Sequence, residues 1–126
     1  MFELAEWQRQ AVALKFPDKA VINGQHCAAQ SGQTFAAINP ATGQVIARVA
    51  DAGPADVDAA VESANRGFKQ WSQVAPAIRG NVLLKLADLL EQNREELAQI
   101  ETCQSGKIIQ ISRAFEVDQA AHFLRY

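Results

Sequence analysis

The spacing of apolar residues changes near Pro54, and this change divides the chain into two kinds of structure. Before Pro54, short apolar runs flank Asn23-Gly24 and the segment 39–43, which contains proline and glycine. Both arrangements are typical of β-hairpins. After Pro54, apolar residues recur every three or four positions, as along one face of an α-helix. The predicted regions are an N-terminal helix within residues 1–19, β-hairpins within 20–52 and helices within 53–126.

Three apolar stripes define the first part of the helical region. Gly53-Pro54 precedes the first stripe, and proline is favoured at the start of a helix. Asn93 and Glu96 resemble a capping box that begins the third helix, and Gly106 is a natural stop. The stripes are Val57, Ala60, Val61, Ala64 and Phe68, then Val82, Leu83, Leu86, Leu89 and Leu90, then Leu97 and Ile100.

The last segment, ISRAFEVDQAAHFLRY, predicts a helix with two different faces. One face is apolar and consists of Val117, Ala121 and Leu124. The neighbouring face mixes aromatic and polar groups, so it is either a packing surface or the wall of a pocket. No glycine, asparagine or proline stops this helix, and we expect the chain to end within an element. The mixed face consists of Phe115, Gln119, His122 and Tyr126.

Composition places the chain among globular proteins. It has 126 residues, of which 48% are hydrophobic and 21% are charged, so we expect one domain, or part of a larger one, with a buried core. Twelve basic residues against fourteen acidic residues give a net charge of −2. This balance favours neither nucleic acid nor an anionic membrane as a partner.

Targeting signals and cysteine usage indicate the cytoplasm. The first segment contains Glu3 and Glu6 and lacks a basic start, so it makes a poor signal peptide. No apolar run approaches the roughly 20 residues of a membrane helix. Cys27 and Cys103 lie far apart and form neither a disulfide framework nor a metal-binding spacing.

The segment ETCQSGK raises the question whether Cys103 is a nucleophile. Cys103 lies near the end of the third predicted helix, where the helix dipole disfavours a thiolate. A thiol enzyme also needs a base, and the two histidines are His26 and His122. One hypothesis is a small thiol-dependent enzyme that uses Cys103 and His122. The other, which we favour, is that Cys103 is a small buried residue.

A series of motifs resembles the beginning of the NAD(P)-dependent aldehyde dehydrogenases. The motifs are INGQHCAA, TFAAINPATGQVIARV, DVDAAVESANRGFKQW, RGNVLLKLADLLEQNREELAQIET, SGK and FLRY, in the order and spacing of that family. The segment LAEWQRQAVAL before them is similar to the branch that oxidises ω-aminoaldehydes, including γ-glutamyl-γ-aminobutyraldehyde. The resemblance implies an α/β fold, in which this chain is a single partial domain that opens the Rossmann-like cofactor-binding domain.

The resemblance also implies what the chain lacks. In the family, the catalytic cysteine, the asparagine of the oxyanion site and the water-activating glutamate all lie downstream of this segment. We therefore expect no catalytic residue and no activity in the 126-residue chain alone, and Cys103 is not the family's nucleophile. The parent would oxidise an aldehyde to a carboxylic acid with NAD or NADP, as a homo-oligomer, dimer or tetramer.

Two sets of candidate site residues follow from the same resemblance. Phe115, Glu116 and Gln119 match positions that face the aldehyde entrance tunnel, and Glu116 would attract the cationic end of a substrate. Ala37 and Ile38 match positions whose backbone carbonyls hold a monovalent cation, Na⁺ or K⁺. Gln104 stands where relatives often have an aspartate, so this cation site would lack its charge.

A second interpretation treats the chain as a non-enzymatic helical interaction module derived from such an enzyme. In this case a partner, or a second copy, must cover the apolar faces that the missing domains normally bury.

Overall fold

The computed structural model describes residues 3–126 and places one helix before two β-hairpins, which are followed by further helices. This order is the predicted one. Within these residues, no helix is both long and apolar enough to cross a membrane. The elements are α1 (Leu4–Ala13), β1 (Ala20–Ile22), β2 (Gln25–Cys27), β3 (Thr34–Ile38), β4 (Val45–Ala50), α2 (Pro54–Trp71), α3 (Pro76–Gln92), α4 (Arg94–Ser105), α5 (Ile109–Ile111), a π-helical turn (Ser112–Glu116, the π turn) and α6 (Val117–Arg125).

The first hairpin turns at Asn23 and Gly24, as predicted. Strand β1 pairs antiparallel with β2, and Ile22 lies opposite Gln25. Both turn residues have positive φ, 54° for Asn23 and 71° for Gly24. Two-residue turns of this kind match the twist of paired strands, and glycine and asparagine adopt the conformation at low cost. These two residues therefore set the register of the hairpin.

The second hairpin is formed by β3 and β4, which also pair antiparallel. Its register runs from Thr34 opposite Ala50 to Ile38 opposite Val45, with an irregularity between Ala37 and Ile38. At the turn, the Asn39 side chain accepts a hydrogen bond from the backbone N–H of Ala41 at 2.9 Å. An asparagine side chain that accepts a hydrogen bond from the backbone two residues later stabilises a tight turn, in agreement with the turn predicted at residues 39–43.

Helix α2 begins at Pro54, as predicted, but its start depends on a residue that the apolar pattern did not single out. The Asp56 carboxylate accepts hydrogen bonds from the backbone N–H groups of Gly53 at 2.9 Å and Gln30 at 3.1 Å. Asp56 is only 4% exposed. It therefore satisfies a free N–H at the helix start and ties α2 to the loop between the hairpins.

Asn93 separates α3 from α4, but the predicted capping box is wrong. Its side chain makes no capping bond to α4 and instead donates to the backbone carbonyl of Leu89 at 2.8 Å. The asparagine thus completes the end of α3, where carbonyl groups lack helical partners. Gly106 ends α4, as predicted, in the left-handed conformation with φ of 76°.

The last predicted helix contains a π turn that the sequence pattern did not indicate. The backbone N–H of Val117 donates to the carbonyl of Ser112, five residues earlier, whereas an α-helix would use the residue four earlier. Beyond the turn, Val117 and Ala121 of α6 are buried and Leu124 is half-buried. The apolar face of the predicted helix is therefore confirmed.

The buried core of the described residues is thin and made of small side chains. Ala87 of α3, Ala98 of α4 and Ala121 of α6 are fully buried, and the largest fully buried side chain is Ser112. Small residues allow helices to approach closely, so α3, α4, the π turn and α6 form one compact group, the helical cluster. The two hairpins and α2 form the open region, in which the apolar stripe of α2 faces outward: Val57 is 53% exposed, Val61 55% and Phe68 68%.

Ion pairs join the helices of the helical cluster. Arg125, at the end of α6, donates to both oxygens of Glu91 at 2.6 and 2.8 Å and to Asp88 at 2.7 Å on α3. Hydrogen bonds from Arg125 hold the pKa of Glu91 below its ordinary value of 4.5. Arg94 of α4 lies 2.5 Å from Asp118 of α6. Charged side chains thus link α6 to both of its helical neighbours.

Candidate functional site

The three candidate tunnel residues lie together where the π turn meets α6. Phe115 and Glu116 belong to the π turn, and Gln119 lies in the first turn of α6. Phe115 is 57% exposed, while Glu116 and Gln119 are half-buried. His122 and Tyr126 continue the same face and are exposed. Phe115, His122 and Tyr126 are thus exposed, whereas Glu116 lies against α4 beside Glu101.

Two polar contacts hold the π turn against α4. The Thr102 hydroxyl donates to the Ser112 hydroxyl at 2.9 Å, and Ser112 is fully buried. The Arg113 side chain donates to Glu95 at 2.5 Å. Because Ser112 and Arg113 point towards α4, they fix the part of the turn from which Phe115 and Glu116 project. π-helical turns occur often at functional sites, and this one carries two of the three candidates.

Glu116 is not a free negative charge, contrary to the simplest expectation for a residue that attracts cationic substrates. The Lys107 ammonium group lies 2.8 Å from Glu116 and 3.2 Å from Glu101. Hydrogen bonds to Glu116 and Glu101 raise the pKa of Lys107 above its ordinary value. The Lys107 side chain thus bridges the two carboxylates. Sequence reasoning missed this lysine because its partners lie six and nine residues away, on different elements.

The three candidate cation ligands lie on two elements that meet at a close contact. Ala37 and Ile38 lie at the irregularity near the end of β3, and Gln104 lies in the last turn of α4, exposed. The turn after β3 touches the end of α4, because a Cβ atom built on Gly106 would lie 2.9 Å from the Pro40 side chain. Carbonyl ligation by these three residues remains a prediction. Residues 3–126 contain no cluster of three His, Cys, Asp or Glu side chains that could hold a metal ion.

Cys103 lies in a setting that disfavours nucleophilic chemistry. It is half-buried, and burial raises the pKa of its thiol above the ordinary value of 9.0. It lines an apolar groove of about 370 Å³ between α1 and the segment after α4, together with Trp7, Ile108 and Ile109. His122 does not line this groove. The geometry supports the interpretation of Cys103 as a packing residue.

The described residues do not form a binding cradle for a dinucleotide. Such a cradle needs free backbone N–H groups where a glycine-rich turn enters a helix. Gly24 and Gly43 instead lie in hairpin turns and Gly106 ends a helix. The start of α2 is served by its own Asp56 carboxylate. Neither these glycines nor the start of α2 therefore provides such a cradle.

Comparison with known proteins places this arrangement in one family. Residues 26–126 match the Aldehyde dehydrogenase family. The phenylacetaldehyde dehydrogenase of Pseudomonas fluorescens is 43% identical over 115 residues, which is 90% of this chain and 23% of that protein. The chain thus spans about a quarter of the length of this relative.

Solved structures of family members have the same fold over this segment. The indole-3-acetaldehyde dehydrogenase of P. syringae in complex with NAD⁺ superposes with a TM-score of 0.96 at 41% identity, over 99% of this chain and 26% of that one. The gamma-glutamyl-gamma-aminobutyraldehyde dehydrogenase of Burkholderia cenocepacia superposes with a TM-score of 0.96 at 38% identity, over 98% of this chain and 26% of that one. Both the motifs and the arrangement of hairpins and helices show that this chain belongs to the aldehyde dehydrogenase family.

Proposed function

We propose that this chain is the N-terminal part of an aldehyde dehydrogenase that oxidises an aldehyde to a carboxylic acid with NAD⁺ or NADP⁺. The observation that carries the proposal is the match to full-length family members, with a TM-score of 0.96 and 38–41% identity over nearly the whole chain. In this proposal, residues 1–126 form a single partial domain that opens the cofactor-binding domain. The remaining three quarters of the enzyme would follow it.

The chemistry explains why the chain alone should be inactive. A thiolate adds to the aldehyde carbon, a hydride leaves that carbon, and water then releases the acid from the thioester. The nicotinamide accepts the hydride when it is bound. Two observations support the expected inactivity: burial raises the pKa of the Cys103 thiol, and the Asp56 carboxylate already binds the Gly53 N–H at the start of α2.

This chain would contribute to substrate access rather than to bond making. Phe115 offers an exposed aromatic ring, and Gln119 offers an amide one helical turn later. These groups suit an aldehyde with an apolar body. The relatives include dehydrogenases of phenylacetaldehyde and indole-3-acetaldehyde and of gamma-glutamyl-gamma-aminobutyraldehyde, so an arylacetaldehyde and an ω-aminoaldehyde are the substrates to test first.

Several finer properties of the parent belong to the same proposal. We infer a cytoplasmic homo-oligomer, dimer or tetramer, in which the rest of the enzyme covers the apolar stripe of α2. A Na⁺ or K⁺ ion would bind the carbonyl groups of Ala37 and Ile38 with Gln104, next to the contact between Pro40 and Gly106. Without a carboxylate, such a site would hold its ion weakly.

The alternative is a non-enzymatic interaction module. The exposure of Val57, Val61 and Phe68 on one face of α2 favours it, because a contiguous apolar face of this kind indicates a binding surface. The two proposals differ in what covers this face. In the first it is the same polypeptide, and in the second it is another protein.

The deciding experiment measures aldehyde-dependent NADH or NADPH formation by two purified proteins. The first is the longer dehydrogenase that contains these residues, and the second is the 126-residue chain alone. We expect activity in the longer protein, no activity in the short chain, and full activity after Cys103→Ala in the longer protein. Activity of the short chain that Cys103→Ala abolishes would overturn the proposal. A cell that produces only a 13.7 kDa polypeptide would favour the interaction module.

A further inference from the structure

Both the backbone and the side chain of Lys107 are held by contacts with neighbouring residues. It follows Gly106, whose left-handed conformation ends α4 and on which an added Cβ would lie 2.9 Å from the Pro40 side chain. Its backbone N–H donates to the Ser105 hydroxyl at 3.2 Å. The side chain then extends to Glu116 on the π turn, at 2.8 Å, and to Glu101 on α4, at 3.2 Å.

The charge of this triad depends on the lysine. Two carboxylates and one ammonium give a net charge of −1, whereas the carboxylates alone would give −2. Each of the three side chains is 37–44% exposed. The triad is therefore in contact with solvent, and its electrostatic interaction with a charged substrate is screened by water. At such a surface, one unit charge at contact distance changes the affinity for a charged substrate severalfold at low salt. Added salt screens this effect.

We propose that Lys107 is a specificity-determining residue: by bridging Glu116 and Glu101, it limits the preference of the enzyme for aldehydes with a cationic end. This inference rests on the proposed function and on the family resemblance, which matches Glu116 to a position that faces the aldehyde entrance. Lys107 contacts no reacting atom. It acts through Glu116, by compensating its charge and by holding its carboxylate towards α4.

A purely structural role for Lys107 makes a different prediction. Exposed ion pairs contribute little to stability, so removal of the ammonium group should leave the fold intact and change the electrostatic potential of the π turn. A structural role would lower activity on all aldehydes equally. A specificity role changes the ratio between charged and uncharged substrates.

The test uses the longer dehydrogenase and two isosteric aldehydes, one ending in trimethylammonium and the other in tert-butyl. The readout is the ratio of their kcat/KM values at low and high ionic strength. We expect Lys107→Met to raise the ratio of cationic to neutral substrate about fivefold at low salt, mainly through KM, and the increase should shrink as salt is added. Lys107→Arg should keep the wild-type ratio. Lys85→Met, which removes an exposed lysine from α3, is the matched control and should leave the ratio unchanged.

A second variant covers the case in which Lys107→Met fails to fold. Glu116→Gln leaves the lysine with one carboxylate, and we expect it to lower the same ratio about fivefold at low salt. In a double variant, Lys107→Met with Glu116→Gln, the ratio should return close to that of the wild type.

The outcomes separate the two proposals. An active enzyme whose ratio does not respond to Lys107→Met, or to Glu116→Gln where Lys107→Met does not fold, overturns the role of Lys107 and leaves the dehydrogenase proposal in place. Equal losses on both aldehydes also overturn it, in favour of a structural role. A longer protein that oxidises neither of these aldehydes, nor phenylacetaldehyde, overturns the proposed function and the role of Lys107 with it.

Discussion

The helical cluster and the open region are built from similarly apolar helices, yet they differ in what those helices touch. In the helical cluster, α6 buries Val117 and Ala121 and is linked by arginine pairs to α3 and α4. In the open region, α2 has an apolar stripe of the same spacing, but Val57, Val61 and Phe68 are more than half exposed. Helical spacing therefore identifies a face suited to burial, whereas the presence of a partner decides whether burial occurs.

The largest expected effect on stability comes from the same substitution, valine to alanine, made once in each region. Val117→Ala in the helical cluster should lower the free energy of unfolding by about 2 kcal/mol, because Val117 is 7% exposed and its loss leaves a cavity. Val61→Ala on α2 should change the free energy of unfolding of the isolated chain by less than about 0.5 kcal/mol. Urea titration of each variant provides the measurement.

The same pair of variants sharpens the comparison in the longer protein. If the rest of a dehydrogenase covers α2, the cost of Val61→Ala should rise there towards that of Val117→Ala. A cost that stays near zero in the longer protein would contradict the proposal that the same polypeptide covers this face.

A smaller effect is expected at the junction of the two regions, where Gly106 meets Pro40. Gly106→Ala should destabilise the protein by about 1–2 kcal/mol, since alanine is strained at φ of 76° and its Cβ would lie 2.9 Å from Pro40. Gly67→Ala is the matched control, because Gly67 lies within α2 with open space around it. It should stabilise the protein by about 0.5–1 kcal/mol. Thermal unfolding of both variants would reveal opposite signs, and two shifts of the same sign would contradict this account.

The smallest effect concerns the arginine pairs, and it depends on pH. The pKa of Glu91 is held below 4.5 by Arg125, so its contribution to stability is present above about pH 4.5 and is lost as the pH falls through the lowered value. We expect Arg125→Gln to lower the melting temperature at neutral pH by a small amount, and we expect its difference from the wild type to shrink as the pH falls through the lowered pKa of Glu91.

Arg66→Gln in the open region serves as the comparison for this titration. Arg66 pairs with Glu62, one turn earlier on the same helix, at 2.8 Å, so removal of this pair breaks no link between two elements. A melting temperature that responds to Arg66→Gln as strongly as to Arg125→Gln would show that joining two helices is not what makes the Arg125 pairs useful.

Local features of this fold could be read from the sequence, and pairings across elements could not. Asn23-Gly24, Gly53-Pro54 and Gly106 act through their own backbone geometry, and each marks a boundary in the structure where it was predicted. The capping box at Asn93 failed because the same side chain can serve the helix before it or the helix after it. The buried Asp56 was missed because one of its partners, Gln30, is 26 residues away.

The same distinction between local features and contacts across elements applies to the candidate site. The spacing of Phe115 and Gln119 indicated a shared face; in the structure Phe115 lies in the π turn and Gln119 in the first turn of α6, and their role in a substrate tunnel stays a prediction. The π turn could not be predicted, because it depends on contacts of Ser112 and Arg113 with Thr102 and Glu95 on another helix. The compensation of Glu116 by Lys107 was missed because no helical spacing connects residues nine apart on two elements.

The π turn also determines how this segment can tolerate changes in chain length. The N–H of Val117 bonds to Ser112, five residues earlier, so the turn holds one residue more than a regular helix would. Deletion of one residue here would allow a continuous α-helix and would leave the residues before and after the turn facing nearly as they do now, because the wide turn already absorbs the extra residue. A deletion in a regular helix would redirect every side chain on one side of it, whereas a deletion in this turn would remove only the wide turn itself.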